Sequence, residues 1–139
     1  MKICVLSANL GGFDKPMNHV EQSVTHDYFM FDDRNFPPRP KAMTSRLQAK
    51  IPKCFGWQLA PGYDRYLWLD GNITMTNQDT VKTFLDNCQD YDMVVLKHPK
   101  RNTIHWEWRY LRRGIKQNSL YMIGRYGGEH VTDQIKAIK

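Results

Sequence analysis

Asp70-Gly71-Asn72 stands directly after the apolar run Tyr66-Leu67-Trp68-Leu69. Such a run reads as a buried strand, and ligands of α/β proteins bind in the crevice outside the carboxyl ends of parallel strands. A carboxylate delivered there can hold a metal ion or a sugar hydroxyl, and the glycine lets a ligand approach the backbone. The same letters also suit a plain Asp-Gly turn. Three further strand-like runs end in polar clusters: Lys2 to Ser7 on Ser7-Ala8-Asn9, His26 to Phe31 on Asp32-Asp33, and Met93 to Leu96 on Lys97-His98-Pro99-Lys100-Arg101. Gathered around one crevice, these would set carboxylates beside cations, which suits a nucleoside diphosphate. Ordinary loop polarity gives similar clusters.

The elements between these clusters must position them. Ala8 to Asp14 carries Gly11-Gly12, a tight loop of the kind that brings backbone amides to a nucleotide, though it is neither GxGxxG nor a P-loop. Phe36-Pro37-Pro38-Arg39-Pro40 excludes regular structure. A helix is expected from near Ala42, with Thr44 or Ser45 as its cap. Arg46, Lys50 and Lys53 then share one face until Pro52 perturbs it, either as a solvated basic face or as a cationic ridge facing diphosphate. Val81, Phe84, Leu85 and Cys88 mark a core-facing helix over 79–88. From Ile104, an apolar stripe of Trp108, Leu111 and Ile115 opposes Arg109, Arg112, Arg113 and Lys116. Gly127-Gly128 precedes a short amphipathic helix over 129–139. Strands separated by helices predict an α/β domain with a mostly parallel central sheet flanked by helices.

Composition bounds the classes. A chain of 139 residues, 41% hydrophobic, suffices for one domain spanning 1–139 and one core. It holds no apolar run of ~18 residues, so no membrane span is expected. Nothing at Met1-Lys2 resembles a secretory signal. Cys4, Cys54 and Cys88 are odd in number and widely spaced, which suits a reducing, cytoplasmic setting. Of the net charge, residues 97–139 carry ten Lys/Arg against three Asp/Glu. That basic third suits a phosphate-bearing ligand, nucleic acid or an acidic surface, or is simply solvated.

The order of Lys2 to Ala8, Gly11-Gly12-Phe13-Asp14 and Phe31-Asp32-Asp33, with Ala49-Lys50-Ile51-Pro52-Lys53, Leu69-Asp70-Gly71-Asn72 and Lys97 to Arg101, resembles a family. It is similar to GT-A-type nucleotide-sugar glycosyltransferases, in particular a glycosyltransferase-like group related to plant mucilage-synthesis proteins. The resemblance implies a GT-A-like, Rossmann-like fold and transfer of a sugar from a nucleotide diphosphate to a hydroxyl on a glycan, protein or small molecule. It implies a divalent cofactor, Mn2+ or Mg2+. Asp70 then falls where such enzymes carry their Asp-x-Asp metal motif, with Asn72 as a neutral secondary ligand and His98 as a metal or phosphate ligand. Arg46, Lys50 and Lys53, with Lys100 and Arg101, would meet the phosphates. Ser7, Ala8, Asn9, Asp32 and Asp33 would border the nucleotide. Glu107, between Trp106 and Trp108, is the acceptor-side, catalytic carboxylate; pairing with nearby arginines is its other reading. GT-A domains are generally longer than this chain, so an open acceptor side closed by a second protomer, a homo-oligomer, is expected. Two other classes remain: a catalytically degenerate nucleotide-sugar-binding domain, and a small basic nucleic-acid-binding protein stacking bases on Trp106, Trp108 and Tyr110. Nucleic acid is the less expected partner, because Trp108 falls in the apolar stripe.

Overall fold

The structure is a computed structural model and describes residues 1–36, 44–121, 133, 136 and 137. The proline-rich loop and the Gly127-Gly128 turn, with nearly all of the helix expected after it, lie outside these residues. Contacts divide the chain into two compact units, Met1–Val94 and Val95–Lys139.

The first unit is built on a three-stranded sheet. Its strands are β1 (Ile3–Asn9), β2 (Asp27–Asp32) and β3 (Arg65–Trp68), in the order β2-β1-β3. Both pairings are parallel, with Cys4 opposite Asp27 and Tyr66, and Asn9 opposite Asp32. The expectation of a parallel α/β sheet therefore holds for three of the four predicted strands. β1 is central, and its unbroken apolar run is what a strand covered on both faces requires.

Alternation along β1 sends side chains into two cores. Cys4, Leu6 and Ala8 join Leu10, Phe31 and Phe36, with Ile51, Ala60, Tyr63 and Tyr66 packed against them. Ile3 and Val5 join Leu69, Met75 and Val81, flanked by Val24, Leu67 and Leu85. The first core is covered by α1 (Ser45–Gln48) and α2 (Lys50–Leu59). The second is covered by α3 (Thr80–Asn87), whose Val81 is 1% exposed. Burying a valine such as Val5 or Val81 fully is worth about 1.5–3 kcal/mol.

Thr44 caps α1 as anticipated, its hydroxyl accepting from the Leu47 amide at 3.2 Å. Pro52 sits in the first turn of α2, where its missing N–H costs no helical hydrogen bond. Gly56 faces Leu6, and a Cβ there would run into the Leu6 side chain, so α2 lies close on the sheet.

The fourth expected strand, Met93 to Leu96, is not formed. Met93, Val95 and Leu96 are exposed, and no ladder reaches them among the described residues. Four apolar residues state a preference for burial, but a strand exists only where a partner edge receives its hydrogen bonds. The basic cluster at 97–101 therefore follows no strand end. In the second unit, α4 (Ile104–Lys116) matches the expected helix, with Thr103 as its cap.

Candidate functional site at the carboxyl edge of the sheet

Because all three strands run parallel, Asn9, Asp32-Asp33 and Asp70-Gly71-Asn72 come to the same edge. The chain adds β2 on one side of β1 and β3 on the other, which makes the carboxyl end of β1 the topological switch point, the place where α/β sheets bind ligands.

Gly71 closes that end. A Cβ on it would lie 2.6 Å from the Ala8 carbonyl oxygen and 2.9 Å from Asp14 Oδ2. Only glycine lets the loop after β3 press so closely on β1, and the contact brings Asp14 beside Asp70-Gly71. Asp14 is held by Asn9, whose side-chain amide donates to the Asp14 carbonyl at 2.7 Å and accepts from its amide at 3.1 Å. Nothing in the spacing of Asp14 marked it as part of the edge.

Asp70 Oδ1 accepts two hydrogen bonds, from the Trp68 indole Nε1 at 2.6 Å and from Lys53 Nζ at 3.0 Å. The Lys53 ammonium also lies 5.7 Å from the centre of the Trp68 ring, within cation–π range. Asp70 lies two residues past the end of β3 at Trp68, near enough for its carboxylate to reach back to the indole. Lys53 arrives from α2. Arg46, half-buried, and Lys50, exposed, precede it at helical spacings of seven and three.

The other candidates divide by place. Ser7 and Ala8 are buried inside the sheet, and Ser7 Oγ has no hydrogen-bond partner among the described residues. Asp33 accepts at both carboxylate oxygens, each 3.0 Å from the Gly11 amide. That anchors the glycine turn, where Gly11 takes the left-handed φ of 75° against Ser45. Asp32 accepts from Arg34 Nη2 at 2.7 Å and from the amides of Arg34 and Asn35. The Arg34 side chain is the main cause holding the Asp32 carboxyl below its ordinary value. Both carboxylates thus shape loops that border the crevice.

His98, Lys100, Arg101 and Glu107 belong to the second unit. His98 Nδ1 accepts from the amides of Lys100 and Arg101 at 3.1 and 3.0 Å and so closes the turn before α4. Arg101 forms an ion pair with Glu107, and its guanidinium stacks 4.3 Å from the Tyr110 ring centre. Of the two readings of Glu107, the paired one describes its surroundings. Arg109 and Arg112 lie over Trp106 and Trp108 at 5.4 and 5.5 Å. A cleft of about 1100 Å³ runs along this helix, lined by Arg101, Trp106, Arg109, Tyr110, Arg112 and their neighbours.

Comparison with protein-family models, with curated proteins and with solved structures found no match.

The donor set was tested for a divalent ion. Such an ion takes oxygen ligands from several side chains at once. Among the described residues no three His, Cys, Asp or Glu side chains gather for a metal. The oxygen donors at this edge are the carboxylates of Asp70 and Asp14 and the neutral amide of Asn72, and Asp70 Oδ1 already carries the Lys53 ammonium.

Proposed function

We propose that the protein binds a nucleoside diphosphate sugar at the carboxyl edge of its sheet and transfers the sugar to a hydroxyl acceptor, as a GT-A-like transferase. The observation that carries this is Lys53, held 3.0 Å from Asp70 at the carboxyl edge of the sheet, with Lys50 one turn before it on α2 and Arg46 on α1. A cationic ridge beside a carboxylate and a glycine-bounded crevice suits a diphosphate joined to hydroxyl-rich sugars. In this reading the cations stabilise charge as the bond from anomeric carbon to diphosphate oxygen breaks. Asp70 orients Lys53 and accepts from a sugar or ribose hydroxyl. The acceptor hydroxyl attacks the anomeric carbon as the diphosphate leaves, and its proton passes to water.

The test incubates the full chain with a panel of nucleotide sugars and hydroxyl acceptors and follows nucleoside diphosphate release. Acceptor-dependent release from one donor, lost in Lys53→Met, supports the reading. Absence of both binding and release across the panel refutes it.

A second reading has its own observation. Residues 97–121 hold seven Lys/Arg against the single Glu107, a surplus equal to the net charge of +6 for the whole chain. Trp106 and Tyr110 are exposed beside those arginines. Rings interleaved with cations suit single-stranded nucleic acid. Oligonucleotide binding that weakens steeply with salt and is lost in Trp106→Ala would favour it.

A further inference from the structure

The carboxyl edge is read above as a diphosphate site, and the present inference rests on that reading. It concerns the charge that neutralises the diphosphate. In a carboxylate-built metal site, two acidic side chains hold a divalent ion, and the ion meets the phosphates. Here the second position of that kind is Asn72, which brings no charge. The carboxylate of that motif, Asp70, carries an ammonium instead, and Asp14, the other acidic side chain at this edge, packs against Gly71.

The Lys53 arrangement is specific. Its Nζ stands 3.0 Å from Asp70 Oδ1, the atom that also takes the Trp68 indole proton at 2.6 Å. The ammonium lies over the same indole ring. Trp68 thus holds the carboxylate by its N–H and the cation by its π face, so one side chain fixes both partners. Both charged groups remain about half exposed, 47% for Lys53 and 54% for Asp70. A divalent cation approaching Oδ1 meets the ammonium at contact distance and must displace it. A diphosphate meets an ammonium already held in place.

We propose that Lys53, fixed by Asp70 and Trp68, stands in the place of a divalent cation, so that this edge binds diphosphate without metal. Lys50, one turn before Lys53 on α2, and Arg46 on α1 add positive charge near it. Asp70 acts as a positioning residue, holding the ammonium when the site is empty and yielding it to phosphate when the ligand arrives.

The experiment is titration calorimetry of the full chain with inorganic pyrophosphate and with uridine diphosphate, first in excess EDTA and then in excess Mg2+. Both probes should bind in EDTA, with affinities that Mg2+ does not improve. Lys53→Met should weaken pyrophosphate binding about 10- to 100-fold, the worth of one charge-assisted hydrogen bond. Lys53→Arg, which keeps the charge, should retain most of it. Asp70→Asn should raise pyrophosphate affinity in EDTA, because the ammonium no longer has to leave a carboxylate and a repelling charge is removed. A metal ligand at Asp70 would instead make the substitution abolish binding that depends on Mg2+. Urea midpoints equal to that of the unsubstituted protein establish that the variants fold. Binding that appears only with Mg2+ overturns the inference and leaves the diphosphate site standing. Binding unchanged by Lys53→Met overturns it as well. Failure of both probes in both conditions overturns the inference and the site together.

Discussion

Replacing Gly71 by alanine places a methyl group against a backbone that cannot yield. The added Cβ would lie 2.6 Å from the Ala8 carbonyl oxygen, an atom fixed in the buried central strand, and 2.9 Å from Asp14 Oδ2. Overpacking of this kind costs about 1–3 kcal/mol, and a fixed backbone neighbour puts Gly71→Ala at the upper end. With a urea slope of about 2 kcal/mol/M, the unfolding midpoint should fall by roughly 1–1.5 M. Relief of the clash moves Asp70 away from β1, so affinity for pyrophosphate should fall in the same variant. Gly12→Ala is the contrast. Gly12 has a φ of 63° but open space around its would-be Cβ, so it incurs only the left-handed penalty of about 1–2 kcal/mol. Its Asp70–Lys53 pair should be undisturbed, and affinity for pyrophosphate should stay at that of the unsubstituted protein. Equal ligand affinities in the two variants, or a Gly71→Ala midpoint unchanged from the unsubstituted protein, would refute the close approach of the loop to β1.

Burial, with a smaller push from Asp27, raises the Cys4 thiol to about 11, so alkylation at pH 8 should modify exposed Cys54 and spare Cys4 until the chain is unfolded. A raised value of this kind stabilises the fold fully below the ordinary thiol range near 8.5 and loses its effect as pH climbs toward 11; Cys4→Ala should flatten stability over that window. The Asp32 carboxyl is lowered chiefly by Arg34, so carbon-detected titration should place its midpoint below about 3.9. The stability linked to Asp32 is present above its unfolded value and disappears as pH falls through the folded one, and Arg34→Gln should move the midpoint upward. Val81→Ala, at a position 1% exposed, should lower stability by about 2–3 kcal/mol in chemical denaturation.

The sequence made β1 and α4 legible because each satisfies one strong pattern. Ile3 to Leu6 is apolar without interruption, as a strand covered on both faces must be. Ile104, Trp108, Leu111 and Ile115 recur at helical spacing over enough turns to fix both ends of α4. Met93 to Leu96 has the composition of β1, yet pairing is a property of the partner edge, which composition does not contain. At the site, the turn after β3 and the cap at Thr44 follow from local rules. The Lys53–Asp70 pair spans 17 residues of sequence and depends on how α2 lies across the sheet. Asp14 reaches Gly71 only through the loop closed by Asn9, so neither contact had a local signature. Asp32 and Asp33 were legible as a carboxylate pair at a strand end, but their binding of the Arg34 and Gly11 amides is a loop geometry that letters alone leave open.

The central claim, a diphosphate site at the carboxyl edge of β1 and β3, is tested most directly by following backbone amide resonances while uridine diphosphate is titrated into the labelled full chain. The account predicts shifts gathered at residues 9–14, at Lys53 and at Asp70 to Asn72, saturating together and needing about 10- to 100-fold more ligand in Lys53→Met. Shifts confined to α4, or none at saturating ligand, would contradict it.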